Sequence, residues 1–271
     1  MRSSHRAGRG ALRTARDRFG PVALVTGAAG AIGHAITAAL RARGALVIAT
    51  DLTPPARLAR DRGPGPPPRA LRLDVTSAAD VRRVFGRVAR EWGHLDLLVN
   101  NAGTVSLAPL VELTERQWDE VFAVNARGVF LCAQAAARHM IASGRGGRIV
   151  NVSSIAARVG FRFQAHYCAA KAAVLGFTKA LALELAPHGI TVNAICPGAV
   201  DTPMLEKALR ESSVLAGVSA AEYRRMVLSS IPLGRLQTPE DVGSLVAFLA
   251  SPAATNITGE AINLDGGIVR N

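Results

Sequence analysis

Tyr167-Cys-Ala-Ala-Lys171 sets a phenol and an ammonium group four residues apart, so on a helix both face one site. A free phenol keeps its proton up to a pKa of about 10, and a tyrosine acting as a base near neutrality needs a drop of roughly 2–3 units. A lysine cation held close by favours the phenolate. Tyr and Lys often share a surface helix face, so the company they keep decides. Ser154 ends an apolar run 13 residues before Tyr167, and Asn100-Asn-Ala-Gly103 ends the run before that. Thr26-Gly-Ala-Ala-Gly-Ala-Ile-Gly33 lies where a strand gives way to a helix. Glycines there let the backbone approach a pyrophosphate, and the helix N-terminus offers free N–H groups. Asp51 closes the second apolar run, 18 residues after Gly33. A carboxylate at that place can accept hydrogen bonds from an adenosine ribose and repels a 2′-phosphate. Alone it could equally cap a turn; with the glycine loop it reads as a dinucleotide contact. A bound nicotinamide cation would add to the pull of Lys171 on the Tyr167 proton.

These groups need a scaffold that gathers strand ends. Short apolar runs at Val22–Thr26, Ala45–Asp51, Ala70–Asp74, Leu95–Asn100, Arg148–Ser153, Thr191–Cys196 and Ala261–Leu264 read as strands. Helical stretches alternate with them, at Ile32–Arg43, Ala78–Glu91, Glu115–Ala142, Ala165–Ala186 and Pro239–Ala250. The last has a clear start, with Thr238 at the N-cap, Pro239 at the first helical position and Asp241 at the third. Six of the fourteen prolines fall between Pro54 and Pro68, and no long helix passes through Gly63-Pro-Gly-Pro-Pro-Pro68. Strands alternating with helices give right-handed βαβ units and a parallel sheet. The expected fold is α/β: a single-domain, Rossmann-like, doubly wound parallel sheet of about seven strands with helices on both faces. Residues 1–19 read as a disordered basic extension, and 20–271 as the domain.

Eight motifs in order and spacing make the chain resemble the short-chain dehydrogenase/reductase family over about residues 20–268. They are the glycine loop, Asp74-Val75, Asn100–Gly103, Val124-Asn125, Ser154, Tyr167 with Lys171, Pro197-Gly198 and Leu264-Asp-Gly-Gly267. The resemblance implies an oxidoreductase moving a hydride between NAD(H) and a secondary alcohol or ketone. It implies Tyr167 as general acid/base, Ser154 as the group holding the substrate oxygen, and Lys171 as the ribose ligand that lowers the tyrosine pKa. Asn125 would continue a water-mediated proton relay. The cofactor would be held by Gly27, Gly30, Ile32, Gly33, Asp51, Asp74, Val75, Asn101, Ala102, Gly103, Tyr167, Lys171, Pro197, Gly198, Val200 and Thr202. The 13-residue gap to Tyr167 selects Ser154 over Ser153. Residues 203–235 would form a substrate lid. This lid and Ser143–Arg148 resemble the branch acting on polyols and small hydroxy-ketones such as acetoin, with Ser154, Gln164 and Tyr167 meeting the substrate. His166 reads as facing solvent. The family loop is TGxxxGxG, whereas position 31 is Ala and a Gly stands at 30; the extra methyl bears on how tightly the loop packs. The proline-rich patch stands where the family usually places a helix.

Composition narrows the alternatives. Apolar residues make up 49% of the 271 and charged residues 19%, enough to bury a core, and no apolar run reaches membrane-spanning length. The net charge is +12, with six arginines among the first 18 residues and only three lysines in the chain. With 4% aromatics there is no stacking platform for nucleic acid. Three scattered cysteines, Cys132, Cys168 and Cys196, form neither a disulfide framework nor a metal cluster; a reducing cytoplasm and no metal are expected. Long helices rich in Ala and Leu on more than one face, Glu115–Ala142 and Ala165–Ala186, have a second surface to bury. The resemblance, in whose family these helices build a subunit contact, implies a homotetramer. A 3-oxoacyl-(acyl-carrier-protein) reductase shares every catalytic residue and is the competing enzyme reading, although Asp51 disfavours the NADPH such enzymes usually use. A redox-sensing module without chemistry would be expected to lack Tyr167 or Lys171.

Overall fold

In the computed structural model, residues 20–270 are described apart from 56, 57, 59 and 61; the N-terminal extension lies outside the described residues. Seven strands form one wholly parallel sheet: β1 (Val22–Thr26), β2 (Leu46–Asp51), β3 (Arg69–Arg72), β4 (Leu97–Asn100), β5 (Gly147–Val152), β6 (Ile190–Pro197) and β7 (Ala261–Leu264). Their order is β3-β2-β1-β4-β5-β6-β7. The chain therefore winds outward from β1 in one direction and from β4 in the other. The helices are α1 (Ala31–Ala42), α2 (Ala78–Trp92), α3 (Glu115–Phe122), α4 (Gly128–Ser143), α5 (Ala165–Leu185), α6 (Pro203–Ala216), α7 (Ala220–Ser229) and α8 (Pro239–Leu249). No helix among the described residues is long and apolar enough to cross a membrane.

The central strands are buried on both faces, which is why they read as unbroken apolar runs. Val22 and Leu24 of β1 face one core with Val84, Phe85 and Val88 of α2 and Cys132, Ala136 and Met140 of α4. Ala23 and Val25 face the other, with Ile36 and Leu40 of α1 and Val242 and Val246 of α8. The doubly wound, two-faced sheet expected from the sequence is the observed one.

Three stretches differ in detail. The helix expected over 115–142 is interrupted by a π-turn at Ala123–Arg127, a wide turn that recurs at functional sites; it carries Asn125. The expected lid folds as two helices, α6 and α7, broken at Gly217 (φ +71°) and restarted by Ser219, whose hydroxyl accepts the Glu222 N–H. The stretch from 62 to 68 is irregular, as expected of its prolines, and Arg41 holds it in place. This α1 side chain is 1% exposed; its Nε donates to Pro66 O at 2.8 Å and its Nη2 to Gly63 O at 3.0 Å. Gly65 lies between them in the left-handed region (φ +87°), and a Cβ there would sit 1.9 Å from Arg41 O. A buried guanidinium thus gathers carbonyls that a helix would have satisfied internally.

The capping box read at Thr238 is present: its hydroxyl accepts the Asp241 N–H and the Asp241 carboxylate accepts the Thr238 N–H. Thr238→Ala is expected to lower stability by about 1 kcal/mol, read as a shifted urea midpoint at unchanged slope.

Candidate active site

The sheet order reverses between β1 and β4, and the two strand ends are cross-braced there. Thr26 Oγ1 accepts the N–H groups of Asn101 and Ala102, each at 3.0 Å. The Asn101 amide nitrogen donates to Thr26 O at 2.9 Å and Gly27 O at 3.0 Å. Gly27 is left-handed (φ +64°) and a Cβ on it would come within 2.7 Å of Ala102 Cα; one on Gly33 would lie 2.2 Å from Gly27 O. Gly30 has ordinary geometry (φ −72°), and an added Cβ would meet only Gly27 O at 3.6 Å. The obligatory glycines are 27 and 33, so Ala31 leaves the turn intact, with its methyl on the cleft wall.

A cleft of about 1060 Å³ runs from this loop to the lid, at the upper end for ligand sites. Every residue expected to hold the cofactor, from Gly27 to Thr202, lines it. No side chain caps the first turn of α1, leaving its N–H groups for an anion. Asp51 ends β2 with Oδ2 accepting the Ala29 N–H at 2.9 Å and Oδ1 the Leu52 N–H at 2.8 Å. Asp74 Oδ1 accepts both N–H and O–H of Thr76. Its own N–H donates to Asp80 Oδ2 at 3.0 Å, a carboxylate that also pairs with Arg72 and Arg83. These bonds hold Asp80 below the usual carboxylate range, the Asp74 N–H foremost and then Arg83. Thr26 opens the glycine motif, whereas Asp80 is a site-building residue that no motif marks. An open first turn beside bare glycines and a strand-end carboxylate fits a nicotinamide dinucleotide.

At the far end of the cleft, Ser154, Tyr167 and Lys171 converge. Ser153 is buried and its hydroxyl donates to Lys171 O at 2.9 Å, which leaves Ser154 as the serine with a hydroxyl free for the cleft. The Ser154 hydroxyl stands close enough to the Tyr167 phenol to pull its pKa down, and it accepts the Ala156 N–H at 3.1 Å. Lys171 is 4% exposed; its Nζ donates to Val152 O at 3.0 Å and lies 5.7 Å from the Tyr167 ring centroid. Burial brings the ammonium down to about 8, still largely charged at neutrality. Burial also pushes the Tyr167 phenol up to about 12, against the downward pull of the Ser154 hydroxyl. The chain by itself therefore holds a neutral phenol, and further positive charge beside it would lower its pKa.

The remaining expected residues divide. Gln164 lines the cleft, and its side chain caps no helix N–H. It follows Phe163, the one left-handed non-glycine among the described residues (φ 66°), whose carbonyl accepts the Ala108 N–H at 3.0 Å. Asn125 is fully buried behind the cleft wall, its amide exchanging two hydrogen bonds with the Thr104 backbone, at 3.0 and 2.7 Å. The side chain thus holds the loop that follows Gly103. His166 is not at the solvent-facing surface. It is 0% exposed with Nε2 2.8 Å from Ser106 Oγ, because the loop after β4 closes over it. Burial keeps its imidazole below the usual histidine value.

A doubly wound sheet with a Ser–Tyr–Lys cluster beside a dinucleotide cleft defines a nicotinamide-dependent oxidoreductase. The family profile described as enoyl-(acyl carrier protein) reductase matches residues 27–269, and the chain belongs to the short-chain dehydrogenase/reductase family. It is 40% identical over 248 residues to a sorbitol dehydrogenase of Cereibacter sphaeroides, covering 92% of this chain and 97% of that one. It is also 40% identical over 249 residues to the 3-oxoacyl-(acyl-carrier-protein) reductase FabG of Vibrio cholerae, with 92% and 97% covered. A solved structure from Agrobacterium tumefaciens, described as a putative 2-deoxy-d-gluconate 3-dehydrogenase with bound NADP, superposes with a TM-score of 0.81. It is 37% identical, with 92% of this chain and 96% of that one covered. The protein is an oxidoreductase of this family acting on CH–OH groups.

The buried phenol can be read directly. In cofactor-free protein the near-ultraviolet phenolate signal of Tyr167 should develop near pH 12 and vanish in Tyr167→Phe. A Tyr167 step below the ordinary phenol value of about 10 would show that Lys171 alone activates it.

Proposed function

We propose that the protein interconverts a secondary alcohol and a ketone with NAD(H), and that its substrate is a small polyol or hydroxy-ketone. The observation that carries this is Ser154 and Tyr167 brought together with buried Lys171 on the wall of one cleft. A nicotinamide held along the cleft supplies the hydride acceptor or donor. In oxidation Ser154 holds the substrate oxygen and Tyr167 takes its proton, while the carbinol carbon gives up hydride and becomes the carbonyl carbon. In reduction the neutral phenol returns that proton. Lys171 binds the nicotinamide ribose and favours the phenolate, and Asn125 keeps the Gly103–Thr104 wall in place for the relay. The sorbitol dehydrogenase relative supports the polyol reading. Reduction of 3-oxoacyl thioesters is the second reading, favoured by the apolar lid wall and the FabG relative. The unpaired Cys132, Cys168 and Cys196 suit a reducing cytoplasm.

Support for NAD over NADP comes from Asp51, since Lys171 is the sole cation lining the cleft among the described residues and none stands by to offset a 2′-phosphate. One kinetic comparison tests chemistry and cofactor together. Tyr167→Phe should lower kcat by about 10²- to 10⁴-fold with NADH affinity retained, whereas Lys171→Ala should weaken both. Wild type should prefer NAD, and Asp51→Ala should narrow the gap. Tyr167→Phe keeping a tenth of wild-type turnover would remove the proton-transfer role; equal efficiency with both cofactors would remove the Asp51 argument; activity confined to acyl thioesters would promote the second reading.

We also infer a homotetramer. Trp118, Phe130 and Ile141 on α3 and α4 and Leu183 on α5, the last 80% exposed, leave outer faces apolar, as does Phe248 on α8. Light scattering at micromolar concentration should give four times the chain mass; a monomer overturns it.

A further inference from the structure

We infer that the substrate is uncharged and carries an apolar arm next to the reacting carbinol, seated between the lid and the rim after Ser154; this rests on the alcohol–ketone reading above. The first ground is where the charge lies. The charged side chains lining the cleft are Asp51, Asp74, Glu120 and Lys171. Asp51 ends β2, Asp74 follows two residues after β3, Glu120 lies on α3 one helical turn before Val124, and Lys171 belongs to the catalytic cluster. None is on the lid or the rim. Four of the lid's charges pair among themselves, Glu206 of α6 with Arg224 of α7 and Lys207 at 3.7 Å from Glu211, and none of the lid's charged residues lines the cleft. A phosphate or carboxylate on the substrate would enter with no cation to meet it.

The second ground is the wall that remains. Val105, Ile155, Phe161, Met204, Leu209 and Val227 come from four separate segments to line one end of the cleft. Phe161 is 40% and Met204 49% exposed, large apolar side chains left open to the same space. A contiguous apolar surface inside a cleft marks what the ligand brings to it. Beside it, Gln164 presents one amide, enough for the hydroxyl or carbonyl adjacent to the reacting carbon. Ser212, Tyr223 and Ser230 of the lid add hydroxyls to the same cleft, but a hexitol, hydroxylated on every carbon, would press more hydroxyls against the apolar side chains than these few groups can pair. An alkyl- or aryl-bearing vicinal diol satisfies both halves of the site.

The experiment is a chain-length series of vicinal diols from 2,3-butanediol upward, with sorbitol, galactitol and sorbitol 6-phosphate alongside. Each buried methylene should raise kcat/KM about fourfold until the cleft is full, the hexitols should fall below the longer diols, and the phosphate should be the poorest. Met204→Gln should flatten the slope. In parallel, the melting temperature of Tyr167→Phe with saturating NADH should rise with diol length at fixed diol concentration, a readout that needs no turnover. Hexitols outrunning the diols, or no dependence on length in either measurement, overturns the inference while leaving the alcohol–ketone reading in place. If no alcohol or ketone is turned over, that reading fails, and the melting series by itself decides whether the apolar arm is bound.

Discussion

The site rests on the bracing of two diverging strands. β1 and β4 are neighbours in the sheet, yet the chain leaves them toward opposite edges, so their carboxyl ends would part with unsatisfied backbone groups. Thr26 and Asn101 take up those groups with four hydrogen bonds between them. The crevice that opens there is the usual ligand position in a doubly wound sheet. Gly27 and Gly33 matter because the braced backbones come so close that a methyl has no room. Everything further along, the strand-end carboxylate Asp51 and the Ser154–Tyr167 pair, is placed relative to that fixed point.

Burial sets the resting chemistry of the far end. Tyr167 and Lys171 are each driven toward their neutral forms by the same desolvation. The lysine stays largely cationic near neutrality because burial brings it down only to about 8, and the tyrosine stays a phenol. The chain is at rest as a proton donor, poised for the direction that reduces a carbonyl, and becomes a base only when further positive charge arrives beside it.

Local spacing accounts for the features that were legible in the sequence. Tyr167 and Lys171 share a face because a helix repeats every 3.6 residues, and Thr238-Pro-Glu-Asp241 caps a helix by itself. Short apolar runs identified all seven strands with only small shifts at their ends. The π-turn at Ala123–Arg127 left no mark, since the residues there are ordinary helix formers and the extra residue is held by Asn125 gripping Thr104 across the fold. His166 read as a surface residue because its burial depends on Ser106, 60 positions away. The substrate wall is the least legible part, since its side chains come from separate segments and acquire meaning only as neighbours.

The proline-rich segment that displaces a helix also guards one margin of the sheet. β3 is the outermost strand on that side, and such a strand offers unpaired N–H and C=O groups to any extended chain that drifts against it. Here the strand has only four residues, follows directly on Pro66-Pro-Pro68, and bears exposed Arg69 and Arg72. Proline has no N–H to donate to an incoming strand, and the two guanidinium groups would have to be stripped of water to admit one. The sheet is thereby closed to growth by strand addition on this side, which protects a protein of nearly half apolar composition from fibrous aggregation through its β3 edge.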